Sequence, residues 1–130
     1  MVSGVVGRFG GVDVRVNNAG IGRPGTIEDV AEEEWDRTVG VNLKAHFLTC
    51  RAVVPHMRRR RRGHIVNVGS IAGRHVSLAN SIPHTSAKAG VIGFTRHHLA
   101  QEVGPDGIRV NAVAPGPRQD GSLLLHDGEQ

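Results

Sequence analysis

The chain has 130 residues, 38% hydrophobic and 22% charged, the size and balance of one soluble globular domain and not of a disordered chain. One cysteine, Cys50, excludes an internal disulfide framework and suits a reducing compartment, and no secretory leader or span-length apolar run is read, which points to the cytoplasm and away from a membrane. The net charge of +4 is local, since five arginines at 58–62 exceed it, and with 3% aromatics they read as a solvated helix end, not a nucleic-acid surface.

In chain order, Val12-Asp13-Val14-Arg15-Val16 alternates and runs into Asn17-Asn18-Ala19-Gly20, a strand ending in a turn. Thr26 precedes Asp29 and Glu32, so a helix is predicted to open there. Val30, Trp35, Val39 and Leu43 fall near one helical stripe, which continues through Phe47, Leu48, Val53 and Met57 until the arginines and Gly63, a good stop. Pro55 should kink that helix or mark its last turns. Ile65-Val66-Asn67-Val68, bounded by Gly63 and Gly69, reads as a buried parallel strand. Residues 73–83 are polar and aperiodic, hence a loop. A second helix is predicted over 85–103, with Ala89, Ile92, Leu99 and Val103 inward and Gly104-Pro105 closing it. Ile108-Arg109-Val110-Asn111-Ala112-Val113 is a third strand, stopped by Pro115. The tail over 117–130 has weak pattern and is expected to fray.

Strand, helix, strand, helix, strand predicts an α/β fold: a partial Rossmann-like, doubly wound parallel sheet of central strands and helices in one domain over 1–116. Ligands of such sheets sit outside the carboxyl ends of the strands, here 17–20, 68–70 and 113–116.

Five segments, in order, resemble the short-chain dehydrogenase/reductase family, and the match covers about residues 10–116. Asn17-Asn18-Ala19-Gly20 is similar to the turn that shapes the adenine side of the cofactor pocket. Val41-Asn42-Leu43 resembles the helix segment whose asparagine holds a relay water, and the strand before Ser70 resembles the one that delivers the catalytic serine. His84-Thr85-Ser86-Ala87-Lys88 aligns with Tyr-x-x-x-Lys, and Ile108 to Gly116 with the sixth strand and its Pro-Gly. The resemblance implies catalytic roles for Asn42, Ser70, His84 and Lys88, and contacts to NAD or NADP from Asn18, Ala19, Gly20, Lys88, Pro115 and Gly116. It also implies a small-molecule alcohol or carbonyl substrate, and a homo-oligomer formed through the helices at 41–59 and 85–103. No metal is expected, because His97 and His98 are adjacent and point to different helix faces.

The departure from the family lies at position 84, since the chain contains no tyrosine. Hydride transfer to a carbonyl builds negative charge on oxygen, which a hydroxyl such as that of Ser70 can hold and an acid must then protonate. A lysine cation helps a neutral tyrosine ionise, whereas it pushes a histidine down from about 6.5 and favours the neutral base. His84 is thus expected to serve as a base in alcohol oxidation and to be a poor acid for ketone reduction. An imidazole is also shorter than a phenol by about 2 Å, which calls for a bridging water and a large loss of activity.

Other family parts are expected to be missing. Gly20-Ile21-Gly22-Arg23-Pro24-Gly25 fits G-x-G-x-x-G formally, yet no acidic residue ends a second strand about 20 residues later, so it reads as a loop. Pro117-Arg118-Gln119-Asp120-Gly121 is not the family's small-residue and threonine stretch. The chain therefore reads as the central portion of a dehydrogenase with exposed sheet edges. The alternative reading is a non-catalytic piece that associates with itself or with full-length relatives, favoured if Phe47 or Phe94 is exposed. Cys50 reads as a buried helix residue, with only His46 at helical spacing as a partner base.

Overall fold

Three parallel strands, β1 (Val14–Asn17), β2 (Gly63–Val68) and β3 (Ile108–Val113), lie side by side in that order. Val14, Val16 and Asn17 stand opposite His64, Val66 and Asn67, while Ile65 and Val68 stand opposite Val110 and Val113. The computed structural model describes residues 1–75 and 81–116, so the tail predicted at 117–130 and part of the predicted loop lie outside the described residues. The α/β class and the parallel order are as predicted, and parallel pairing sends all three carboxyl ends to one rim.

The first crossover is one long helix: α2 (Glu32–Val39), a π-helical stretch over Gly40–Lys44, and α3 (Ala45–Arg60), with right-handed helical backbone at each junction. It opens later than predicted. The Thr26 amide and hydroxyl both donate to the Asp29 carboxylate, at 3.2 and 2.6 Å, and close a separate turn. Ala31 then provides the extended residue before the helix, and Glu32, Glu33 and Glu34 complement its positive end. Pro55 sits inside α3 and does not end it. The stop is Arg61, in a left-handed conformation at φ 54°, and not Gly63, which opens β2. Gly63 is glycine for a packing reason, because a Cβ there would run into the Met57 sulfur.

The second crossover repeats the device: α4 (Ile82–Gly93), a π-helical stretch over Phe94–Leu99, and α5 (Ala100–Val103). It begins at Ile82 instead of 85, since Pro83 fits the first turn of a helix, where no N–H is needed. Ala89 is exposed where it was predicted inward, and the buried line runs through Ala87, Lys88, Val91, Thr95, Leu99 and Val103. Trp35, Phe47 and Leu48, read as part of an inner stripe, are likewise exposed. The π-helical stretch over Gly40–Lys44 inserts an extra residue, which rotates Phe47 and Leu48 beyond it away from a 3.6-residue stripe begun before it.

The core joins Cys50, Val53, Val54 and Met57 of α3 to Ile65 of β2, Ile108 and Val110 of β3, and Leu99 and Val103. One face of the sheet therefore carries both crossovers. A helix not foreseen, α1 (Val2–Phe9), packs on α3 with Val2 against this core. Gly4 and Gly7 weaken its intrinsic propensity, and Gly10, at φ 77°, ends it. The opposite sheet face is open among the described residues, with Val14, Val16 and Val113 exposed.

A polar ladder runs beneath the rim on the covered face. Asn17 Nδ2 donates to Asn67 Oδ1 at 2.8 Å, and Asn67 Nδ2 to Thr95 Oγ1 at 2.9 Å. Thr95 passes its proton to the Val91 carbonyl at 2.7 Å, while Thr49 Oγ1 and Arg15 Nε both donate to Asn17 Oδ1 at 2.7 Å. At the other end of the sheet the arginine run caps α3 as predicted and also latches it. Arg58 reaches Glu102 and Asp106, Arg61 reaches Asp106, and Arg60 and Arg62 reach Asp13.

Candidate active site

The end of β1 continues into an exposed segment, Asn18, Ala19 and Gly20, that passes over the first crossover. Asn42 is fully buried in the π-helical stretch and turned toward it. Its Oδ1 accepts from the Ile21 amide at 2.7 Å and its Nδ2 donates to the Ile21 carbonyl at 2.6 Å. Because one residue's N–H and C=O make opposite demands, that pair also settles which way the Asn42 amide faces.

His84 sits in the first turn of α4, half-buried. Its Nδ1 lies 3.1 Å from the Ile21 carbonyl and 3.2 Å from Asn42 Nδ2. A Cβ at Gly22 would stand 3.0 Å from this nitrogen, so the loop lies flat on the imidazole. One helical turn further, Lys88 is 4% exposed and its ammonium donates to the Val68 carbonyl at 2.7 Å. Burial lowers the lysine's pKa below its ordinary value. Gly20 closes the group from above, since a Cβ there would be 3.4 Å from both Asn42 Oδ1 and Lys88 Nζ. Asn42, His84, Lys88 and the Gly20–Gly22 loop thus form one contact cluster.

Ser70 follows β2 and caps a short 3-10 turn, Ile71–Gly73, where its Oγ accepts from the Ala72 amide at 3.1 Å. Among the described residues nothing accepts its own hydroxyl proton. Pro115 and Gly116 are tied to this segment, because the Ile71 amide donates to the Pro115 carbonyl at 2.9 Å and the Gly69 amide to Val113 at 2.8 Å. Two glycines let the parts close. A Cβ at Gly73 would stand 2.6 Å from the Ala89 amide nitrogen of α4, and one at Gly90 would stand 2.8 Å from Leu43.

Two participants were not identified from the sequence. Ile21 acts through its backbone, which no side-chain motif advertises. His46 lies buried one turn after Asn42, with burial and then the Lys88 charge lowering its pKa. Cys50 is buried as expected, and burial pushes its thiol up to about 11, which leaves it a poor nucleophile. The formal G-x-G-x-x-G at 20–25 is a loop, as read: Asn42 takes both polar groups of the Ile21 peptide backbone, and the long helix opens only at Glu32.

A parallel α/β sheet with its polar side chains gathered at the strand ends defines a Rossmann-type α/β protein. The chain belongs to the short chain dehydrogenase family, whose model matches residues 1–121. It is 47% identical over 135 residues to the hydroxy(phenyl)methylsuccinyl-CoA dehydrogenase subunit BbsD of Thauera aromatica, covering 96% of this chain and 53% of that protein. It is 43% identical to the 3-oxoacyl-acyl-carrier-protein reductase FabG of Vibrio cholerae, covering 89% of this chain and 47% of that protein. Among solved structures, a 3-oxoacyl-acyl-carrier-protein reductase of Brucella melitensis with bound NAD superposes with a TM-score of 0.80 at 44% identity, over 87% of this chain and 45% of that one. A short-chain dehydrogenase of Streptomyces avermitilis gives 0.81 at 35% identity, over 88% and 41%. The chain spans about half the length of the curated relatives it matches.

Proposed function

We propose that this chain carries the proton-handling part of an NAD(P)-dependent alcohol/carbonyl oxidoreductase site, with His84 in the place of the family's tyrosine and activity reduced accordingly. The observation that carries the reading is the Asn42 clamp on both polar groups of Ile21, whose carbonyl lies 3.1 Å from His84 Nδ1, beside a buried Lys88 anchored on the second strand end. Lys88 and the Gly20 cradle fit the ribose next to a nicotinamide, with Asn18, Ala19, Pro115 and Gly116 along the exposed rim. The described residues hold no glycine-rich turn opening a helix for a pyrophosphate, so the fit is to that half of the dinucleotide. A bound nicotinamide supplies the hydride acceptor or donor.

The residues divide the remaining work. Ser70 donates its free hydroxyl proton to the substrate oxygen. In the shorter of its two contacts, His84 Nδ1–H donates to the Ile21 carbonyl, which leaves Nε2 bare to take the proton of a substrate alcohol. Asn42 holds that carbonyl in place. The opposite tautomer would accept from Asn42 and present Nε2–H instead, so the Ile21 contact favours the base form that alcohol oxidation uses.

Titration with NADH and NADPH, read by nicotinamide fluorescence, tests the reading alongside His84→Tyr. Saturable binding, with oxidation of simple secondary alcohols rising about 100-fold in the tyrosine variant, is the expected result. Absence of binding by both proteins removes the enzyme reading.

A second reading rests on a specific feature. Phe47 and Leu48 are each 46% exposed, on the first of the helices expected to pair between copies. Phe94, by contrast, packs against the core. In this reading the chain associates with itself or with longer relatives through the helices at 41–59 and 85–103 without turning over substrate.

A further inference from the structure

The outer edge of β3 is unpaired among the described residues, and a groove of about 510 Å³ runs along it. Its floor is the strand itself over residues 108–111, and its wall is Ala100 of α5 with Gly104 and Gly107 from the turn that follows. None of the three carries a side chain beyond a methyl, and a Cβ at Gly104 would meet nothing within 4 Å. The peptide groups of the edge are therefore within reach of another chain.

Which groups point outward follows from the ladder to β2. The Gly69 amide donates to the Val113 carbonyl at 2.8 Å, so Val113 turns its N–H and C=O toward β2. The strand's period of two turns those of Arg109 and Asn111 the same way, and those of Ile108, Val110 and Ala112 outward. The side chains divide between the two faces. Ile108 and Val110 are buried in the core under the helices, whereas Arg109 and Asn111 are exposed on the open face.

This edge is complementary to itself. Antiparallel pairing about a two-fold axis at Val110 sets Ile108 opposite Ala112 of a second copy, and Val110 opposite its own counterpart. Each outward peptide group then meets an outward one, for roughly six hydrogen bonds. The same register sets Arg109 opposite Asn111 of the second copy, a charge against a neutral amide. An axis at Arg109 would instead oppose two guanidinium groups. Val110 also lies within the groove, so an axis there lays the second strand along it.

We propose that two copies of this chain join edge to edge along β3, antiparallel about Val110, into one continuous sheet. The contact is separate from the exposed helix faces and from the open sheet face, and it does not depend on the chemistry of the site.

Ala112→Pro is the discriminating variant. The N–H it removes points outward, so the ladder to β2 keeps its bonds while the ring blocks an approaching strand. Sedimentation velocity should show a wild-type dimer and, in the proline variant, a dimer about 100-fold weaker, with a melting temperature within about 3 °C of wild type. Register is read by cross-linking, in which the buried Cys50 stays silent. Arg109→Cys and Asn111→Cys chains, mixed and oxidised, should form a disulfide-linked dimer, because non-hydrogen-bonded antiparallel pairs stand about 4.5 Å apart at Cα. Either chain oxidised alone should link far less. A wild-type monomer at all concentrations, or a folded proline variant that dimerises like wild type, would overturn the proposal. Equal linking by Arg109→Cys alone would overturn it too, and the cross-link reads the contact whether or not the proline variant folds.

Discussion

Asn42 grips both polar groups of one loop residue, with 2.7 and 2.6 Å bonds to the Ile21 N–H and C=O, and the same carbonyl lies 3.1 Å from His84. Asn42→Ala would strand both backbone groups beside a half-buried imidazole. The expected cost is about 1–3 kcal/mol, read from urea unfolding, together with loss of the His84 tautomer preference in nitrogen NMR. Two buried bases set the pH response. Burial lowers His46 below 6.5, so the unfolded chain binds the extra proton and stability falls as the pH drops below 6.5. His46→Gln should flatten that acid slope, measured as unfolding midpoints between pH 5 and 7. Lys88 is lowered by burial below 10.5, so its contribution rises with pH from its folded value up to 10.5, and Lys88→Met should remove that rise. At this scale the sequence offered Asn42, Ser70, His84 and Lys88 as candidates, because side-chain type is visible in a sequence. It could not show Ile21, which acts through its backbone, or the burial of His46, which depends on tertiary packing.

The elements were legible as types and less so in phase. Strand β2 was predicted at 65–68 and observed at Gly63–Val68, and β3 matches at Ile108–Val113. The first helix stripe drifted beyond Gly40–Lys44, because that π-helical stretch breaks the 3.6-residue repeat before Phe47 and Leu48. Both π-helical stretches serve the site, since the first holds Asn42 and the second places Thr95 against Asn67. Asn67→Ala would cut the ladder between the strands and the second π-helical stretch, and the partners Asn17 and Thr95 would lose bonds inside the core. A loss of about 2–3 kcal/mol is expected, seen as a lower urea midpoint. Gly73→Ala should cost about 1–3 kcal/mol more directly, because its Cβ would meet backbone of α4 that cannot swing aside. A melting temperature equal to wild type would mean that the 3-10 turn moves freely.

At the scale of the whole molecule, the helices gather on one face of the sheet and leave the other open among the described residues. Val14, Val16 and Val113 stand on that open face, and β1 and β3 form the two edges. Apolar area and unpaired edges together favour association. Sedimentation velocity should therefore show self-association that rises with concentration, and Val16→Lys should weaken it without lowering the melting temperature. A monomer at all concentrations would show that the open face is not a contact surface.

Element order, fold class and family were legible in the sequence alone. Alternating and apolar runs bounded by glycine and proline set the strands and crossovers, and five spaced motifs placed the family and its polar residues on one rim. Tertiary structure decided what those residues do to each other. Asn42, Ile21 and His84 are distant in sequence and meet only because parallel strands end at a common rim and a π-helical stretch turns the asparagine toward it. The lowered pKa values of His46 and Lys88 arise first from burial, which no single position in a sequence encodes.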